Sequence, residues 1–278
     1  MQISIYVLCI TFIGFQEVCM DIEKMQGKLE HQKFFEEMFN LALLGMNISR
    51  GDKIEYSGEL LVLLYLKEIY SNVNISPVFF DVGANIGSYS IAISSIFKDE
   101  VSIFAFEPFV NTFNTFKHNT SRIPNVNAFN FGFSDANKQM TLYYDGPNSD
   151  MASVYHRQLD YRNIRLDHSE EITMTTIDQF CVKMNIPAID FLKLDVEGHE
   201  LSVLLGAKSM IDSNKIQYIQ FEFGSCNIDS RTFFKDFYTL LNGRYRLYRI
   251  LIDGLLEITN YRETLEIFTT TNFLAIHR

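Results

Sequence analysis

Asp195, Glu197, His199 and Glu200 set three acids and a histidine within six residues. Such crowding costs like-charge repulsion and desolvation unless the groups are solvated, protonated, or engaged with a substrate or metal. Asp195 and His199 are candidate general bases, with Glu197 beside them. Imidazole has the better-placed ordinary pKa, about 6.5, whereas a carboxylate needs burial or a like-charged neighbour to reach that range. Asp195, Glu197 and Glu222 could instead hold a divalent cation that acidifies an acceptor hydroxyl. Their spacing fixes no coordination geometry, so no metal ligand is assigned. Capping of the helix that begins at Glu200 is the plain alternative for the same cluster.

A second constellation lies upstream. Phe79 to Val82, with Asp81 inside it, reads as a buried strand; Gly83, Ala84, Asn85 and Gly87 then form a crowded turn. Ser88 to Phe97 carries apolar residues on one helical face. Strand, glycine-rich turn and helix together bring a helix N-terminus to a nucleotide-like ligand. A tight connection without a ligand would use the same glycines. The spacing is Gly-x-x-x-Gly, which suits something smaller than a pyrophosphate-bridged cofactor. Glu107 ends the next strand, Ser102 to Phe106, and stands 20 residues beyond Gly87. A carboxylate there offers two acceptor oxygens to the two hydroxyls of a ribose. Asn125 to Phe133 returns as a strand leading to Ser134 and Asp135, near the base end of such a ligand. Asp135 could accept from an exocyclic amine or cap the following turn.

These residues need a parallel sheet to position them. Phe191 to Asp195 and Lys215 to Phe223 read as further strands, and Tyr245 to Ile250 with Thr271 to His277 as a late pair. Ile177 to Met184 and Thr232 to Leu241 read as helices, the first capped by Thr175 or Thr176. Asp145 to Glu171 is the least regular stretch and is expected to be a lid or substrate-recognition insertion. Residues 1–77 form an expected hydrophobic and helical extension, with a helix over Asp21 to Leu44 and another, capped by Ser57, over Gly58 to Tyr70. Tyr56 and Glu59 are candidate pocket-wall residues within it.

With 278 residues, 47% of them hydrophobic, the chain can build a sizeable core. Its net charge of −10 argues against nucleic-acid binding. Four scattered cysteines show neither metal-ligand spacing nor a disulfide framework, so a reducing, cytoplasmic setting is expected. The apolar run Ile3 to Phe15 lacks a preceding Lys or Arg and is short for a membrane span. A packed element is expected there, with a secretory signal or weak membrane association as the alternative. Oligomeric state is not legible.

Phe80 to Gly87, Phe106-Glu107-Pro108, Leu192 to Glu200 and Gln220-Phe221-Glu222 together resemble the FkbM family of S-adenosylmethionine-dependent methyltransferases. The resemblance runs from about Val78 to Ile276, and the Leu192 to Glu200 string is its most specific part. It implies an α/β, class I methyltransferase Rossmann-like fold: a seven-stranded, mostly parallel sheet with helices on both faces and an antiparallel last strand. It implies S-adenosyl-L-methionine as cofactor and O-methylation of a sugar, glycan or small metabolite. Asp81, Gly83, Asn85, Gly87, Glu107, Ser134 and Asp135 would then hold the cofactor, and Asp195, Glu197 and His199 would line the transfer crevice. An NAD-dependent oxidoreductase would use Glu107 equally well but fits the glycine spacing and the acid cluster poorly. A non-catalytic nucleoside-binding protein would need the turn but not the convergent acids.

Overall fold

A computed structural model describes residues 22–50, 54–71, 73 and 75–278. The apolar run Ile3 to Phe15 lies outside the described residues, as do Cys9 and Cys19. The chain divides into two compact units, at Met46 and Asn47. The described part of the first unit centres on α1 (Gln32–Gly45). The helix expected from Asp21 to Leu44 is interrupted, because Gly27 adopts a positive φ of 70° and a short 3-10 turn, Leu29–His31, follows it.

The second unit begins at Asn47. Its first long helix, α2 (Glu59–Tyr70), contributes Val62, Leu63 and Leu66 to a core with Phe79, Ile93, Phe97 and Phe191. Burying three such aliphatic side chains stabilises the unit by about 1.5–3 kcal/mol each, so this helix is structural and not an appendage. Gly58, and not Ser57, occupies the N-cap. Ser57 still serves the same helix end, since its hydroxyl accepts from the Glu59 amide at 3.3 Å.

Apolar strands alternate with helices in the order β1 (Val78–Val82), α3 (Ser88–Phe97), β2 (Ser102–Phe106), α4 (Val110–Thr120) and β3 (Val126–Phe129). There follow β4 (Gly132–Phe133), β5 (Lys138–Tyr144), β6 (His168–Thr175), α5 (Ile177–Met184), β7 (Ile189–Leu194), α6 (Glu200–Leu205) and α7 (Lys208–Asp212). The chain ends with β8 (Ile216–Phe223), α8 (Cys226–Ser230), α9 (Phe234–Leu241), β9 (Tyr245–Ile250), β10 (Leu255–Ile258) and β11 (Thr271–His277). The main sheet has the order β10-β9-β11-β8-β7-β1-β2-β3. Strands β1, β2, β3, β7 and β8 are parallel, and β11 inserts antiparallel between β8 and β9.

This is the expected class I arrangement with one addition. The sheet has eight strands, not seven, because β10 turns back along β9 as an outer antiparallel strand. The run expected as one strand from Asn125 to Phe133 is also divided. Its first part joins the main sheet as β3, while Gly132–Phe133 leaves it to pair with β6 in a separate sheet of order β4-β6-β5. Asn130 sits at the break and donates from its side-chain amide to the carbonyls of Glu107 and Pro108, at 2.9 and 3.0 Å. The Thr176 hydroxyl caps α5 by accepting from the Gln179 amide. No helix among the described residues is long and apolar enough to cross a membrane.

The order places the β1 switch next to β7, so the turns after these two strands meet. Gly83 has φ +80°, and a Cβ there would overlap the Asp195 carbonyl. Gly83→Ala therefore combines a disfavoured backbone conformation with a backbone collision. It is expected to cost about 2–4 kcal/mol in urea unfolding. Gly243→Ala, with no atom within 4 Å of its would-be Cβ, should change stability by less than about 0.5 kcal/mol. Equal effects of the two substitutions would contradict this geometry.

Candidate active site

A cavity of about 840 Å³ opens where the strands end, between the glycine-rich turn and the β7–α6 junction. Its lining includes Gly83, Asn85, Glu107, Phe133 and Met174. The turn is fixed by its backbone: the amides of Gly83 and Ala84 both donate to the Phe106 carbonyl at 3.0 Å. The Asn85 amide donates to one Glu107 carboxylate oxygen at 3.0 Å, and the Phe109 amide donates to the other at 2.8 Å. Burial nevertheless pushes Glu107 up to about 7, against the lowering effect of these two amides. A carboxylate has about four acceptor positions. Two are used, so each oxygen retains capacity for one ribose hydroxyl.

Asp81 and Gly87 do not line this cavity; they support it. Asp81 is fully buried, accepts from the Ser90 hydroxyl at 2.7 Å and faces the Lys193 ammonium at 3.7 Å. Burial raises its pKa, while Lys193 and Ser90 oppose the shift. At Gly87 a Cβ would come within 2.9 Å of the Phe116 ring, so this glycine lets α3 approach α4. The structure therefore brings Gly83, Asn85 and Glu107 together at the cavity, with Asp81 and Gly87 behind them.

The lining also includes Glu59, Lys193, Asp195, Glu197 and Glu222. Lys193 is buried in the central strand β7, with its ammonium 3.0 Å from Asp195 and 4.7 Å from the centre of the Tyr89 ring. Burial disfavours its charge, but Asp195, Asp81 and Glu59 outweigh that and push its pKa up. Glu59 accepts from the Ser57 hydroxyl and the Gln220 amide, at 2.9 and 2.7 Å, and burial raises it. Tyr56, the other expected wall residue, is exposed and outside the lining. Glu222 is raised well above the ordinary carboxylate range, by burial first and then by Asp195, Glu197 and Glu200. Among the described residues, no group of three or more acids, histidines or cysteines is placed to hold a metal ion.

Glu197 is clamped from the irregular segment. Buried Arg157 donates to it at 2.5 Å and also reaches Asp229 at 3.3 Å and the Ser225 hydroxyl at 3.2 Å. Burial and Asp195 still push Glu197 up to about 8 against the pull of Arg157. The Ser153 hydroxyl donates to the Glu197 carbonyl at 2.8 Å. Residues after Tyr144 thus form a fastened wall of the site. Glu200 turns inward and accepts from the Val196 and Gly198 amides at 3.0 and 3.2 Å, so it fastens the turn before α6 and does not cap the helix.

His199 is buried with both ring nitrogens occupied. Ser134 donates to Asp135 at 2.8 Å, so the Ser134 oxygen accepts from the His199 Nε2–H at 2.9 Å. Nδ1 then accepts from the Tyr155 hydroxyl at 3.0 Å. Burial, helped by Lys138, lowers His199 to about 4. It is a neutral strut between two segments, with its basic lone pair already engaged. Ser134 is buried and Asp135 half-exposed in contact with Lys138; neither lines the cavity.

Lys193, Arg157 and Tyr155 carry much of this geometry without an assigned role from sequence. Lys193 had a legible signal, a charge inside the otherwise apolar Phe191-Leu192-Lys193-Leu194. Arg157 and Tyr155 had none, since their partners lie 40 and 44 positions away.

The raised carboxyls set a pH dependence. Glu107 and Glu200 rise to about 7 and Glu197 to about 8, from 4.5. The native state then binds protons more tightly than the unfolded one, so their stabilisation is present below about 4.5 and lost as pH rises through 7 to 8. His199 is depressed, so its contribution is complete above about 6.5 and flat beyond. Urea unfolding should accordingly show stability falling by about 1–4 kcal/mol from pH 6.5 to 8.5. A constant or rising stability would contradict the burial of these acids.

The Methyltransferase FkbM domain model matches residues 81–250, which contain the turn, Glu107 and the acid cluster. The antimetabolite synthetase AmbE of Pseudomonas aeruginosa is 30% identical over 178 residues, covering 51% of this chain and 8% of that protein. The hexuronic acid methyltransferase AglP of Haloferax volcanii is 28% identical over 148 residues, 53% of this chain and 56% of that one. The 2-O-methyltransferase NoeI of Sinorhizobium fredii is 21% identical over 154 residues, 52% and 63% of the two chains. The alignments thus span a small part of AmbE and somewhat over half of AglP and NoeI. With its sheet order, its glycine-rich turn and a match over most of its length, the chain belongs to the FkbM-domain methyltransferase family.

Proposed function

We propose that the protein is an S-adenosyl-L-methionine-dependent O-methyltransferase acting on a hydroxyl of a sugar, glycan or small metabolite. The observation that carries this reading is Glu107, held by two backbone amides beside the glycine-rich turn, in one cavity with Asp195. Sugar-directed activity is supported by the names of AglP and NoeI. When bound, the cofactor supplies an electrophilic sulfonium methyl. The protein's part is to bind both reactants, align them, exclude water and take up the hydroxyl proton.

In this reading Gly83 and Asn85 give the cofactor backbone access, and Glu107 accepts from the ribose hydroxyls. Asp81 and Gly87 hold the turn in place. Asp195 accepts the proton from the acceptor hydroxyl, since it lines the cavity and its side chain is 41% exposed. Lys193, 3.0 Å away, orients that carboxylate. Glu197 shapes the crevice through Arg157, and His199 with Ser134 and Asp135 braces it.

Calorimetric titration with S-adenosylhomocysteine tests the cofactor role. Glu107→Ala should weaken binding about 10²- to 10⁴-fold, because each of the two ribose hydrogen bonds to a charged group contributes about 1.5–3 kcal/mol. Affinity should rise with pH through about 7 in the wild type, as Glu107 ionises. Unchanged affinity in the variant, or binding of NADH in place of S-adenosylhomocysteine, would overturn the reading. Asp195→Asn should reduce methyl transfer, read by mass spectrometry of methylated hydroxyl acceptors, by about 10²-fold or more. Its cofactor affinity should stay within about threefold. Unimpaired transfer would remove Asp195 as the base.

A further inference from the structure

Among the described residues, three buried polar atoms in the cavity lining have no hydrogen-bond partner: Asn85 Oδ1, Thr112 Oγ1 and Ser149 Oγ. A buried polar group without a partner is uncommon and costs about 1–3 kcal/mol, so each calls for a cause. These three come from separate elements. Asn85 is in the glycine-rich turn, Thr112 is in the first turn of α4, and Ser149 is in the irregular segment after β5. Thr112 is 1% exposed and Ser149 is 9% exposed.

The segment bearing Ser149 is held on both sides. Asp150 accepts from the Asn85 side-chain amide at 2.9 Å, and Asn148 accepts from the Thr115 hydroxyl of α4 at 2.9 Å. Asn148 to Asp150 therefore bridges the glycine-rich turn to α4. Those are the two elements whose amides hold Glu107, through Asn85 and the adjoining Phe109. Farther along, the segment is pinned to β5, where the Tyr143 amide donates to the Ser153 carbonyl at 2.8 Å and the Ser153 amide returns at 3.0 Å.

We infer that Asn148 to Asp150 is a clasp over the nucleoside half of the cofactor, and that the hydroxyls of Ser149 and Thr112 bind that half directly. The inference rests on the reading of the cavity as an S-adenosylmethionine site. It assigns the first part of the insertion to the cofactor and not to the acceptor. Both hydroxyls can donate or accept, so they suit the mixed hydroxyl and ring-nitrogen edge of an adenosine. Asp150 and Asn148 act as positioning residues, since their side chains are engaged with protein.

Ser149→Ala and Thr112→Val separate this role from a structural one. Each should weaken S-adenosylhomocysteine binding about tenfold by calorimetry, with the same factor for 5′-methylthioadenosine, which lacks the amino-acid half. Neither should lower the thermal midpoint, because removing an unpaired buried hydroxyl relieves a desolvation cost. In the wild type, S-adenosylhomocysteine should slow amide exchange across residues 146–151. Affinity unchanged within twofold in both variants, a loss confined to S-adenosylhomocysteine, or unaltered exchange in that segment would overturn the clasp. A lowered midpoint with normal affinity would assign the hydroxyls to folding and overturn it too. Failure of the wild type to bind S-adenosylhomocysteine at all would instead overturn the cofactor reading itself.

Discussion

The site depends on the contact between two turns. Strands β1 and β7 lie side by side in the sheet, and Gly83 at the end of one meets the carbonyl of Asp195 at the end of the other. Only a residue without a Cβ, at positive φ, permits that approach. It fixes the glycine-rich turn, whose Asn85 amide holds Glu107, against Asp195. In a group-transfer site this separation matters, because donor and acceptor must meet in line. The Asp195 amide donates to the Val82 carbonyl at 3.0 Å and ties the same two strands immediately before the turns diverge.

Lys193 makes the electrostatics of that junction tolerable. Six carboxyls, from Glu59, Asp81, Glu107, Glu197, Glu200 and Glu222, are raised by burial, and a single ammonium lies between Asp81 and Asp195. A buried charge needs partners, and Lys193 supplies one to the strand β1 acid and one to the candidate base. Arg157 does the same for Glu197 and Asp229 from the opposite side. Two cations thus organise the acids into separate environments. Asp195 keeps an open face, while Glu197 is committed to Arg157 and Glu200 to the amides of the turn before α6.

Much of the scaffold was legible because strong local signals agreed with the fold. The strands over Ser102–Phe106, Tyr245–Ile250 and Thr271–His277 and the helices over Ser88–Phe97 and Ile177–Met184 fall where apolar pattern and turn residues put them. The division of Asn125 to Phe133 was not legible, since apolar alternation cannot show that Asn130 would satisfy two carbonyls at a sheet edge. Strand β10 was missed because Leu255–Ile258 is short and only half-buried. The positions of Glu107 and Asp195 just after strands β2 and β7 were readable from the pattern. The engagement of His199 was not, because it arises from Ser134 and Tyr155, which lie 65 and 44 residues away. The irregular segment offered no periodicity at all, and its attachments are long-range side-chain bonds.

The central claim is that one cavity seats the cofactor's ribose on Glu107 and presents its sulfur to Asp195. A crystal structure with S-adenosylhomocysteine tests this most directly. Both ribose hydroxyls are expected within hydrogen-bond distance of the Glu107 carboxylate, about 2.5–3.0 Å, with the sulfur facing Asp195. Ribose bound away from Glu107, or sulfur directed away from Asp195, would contradict it.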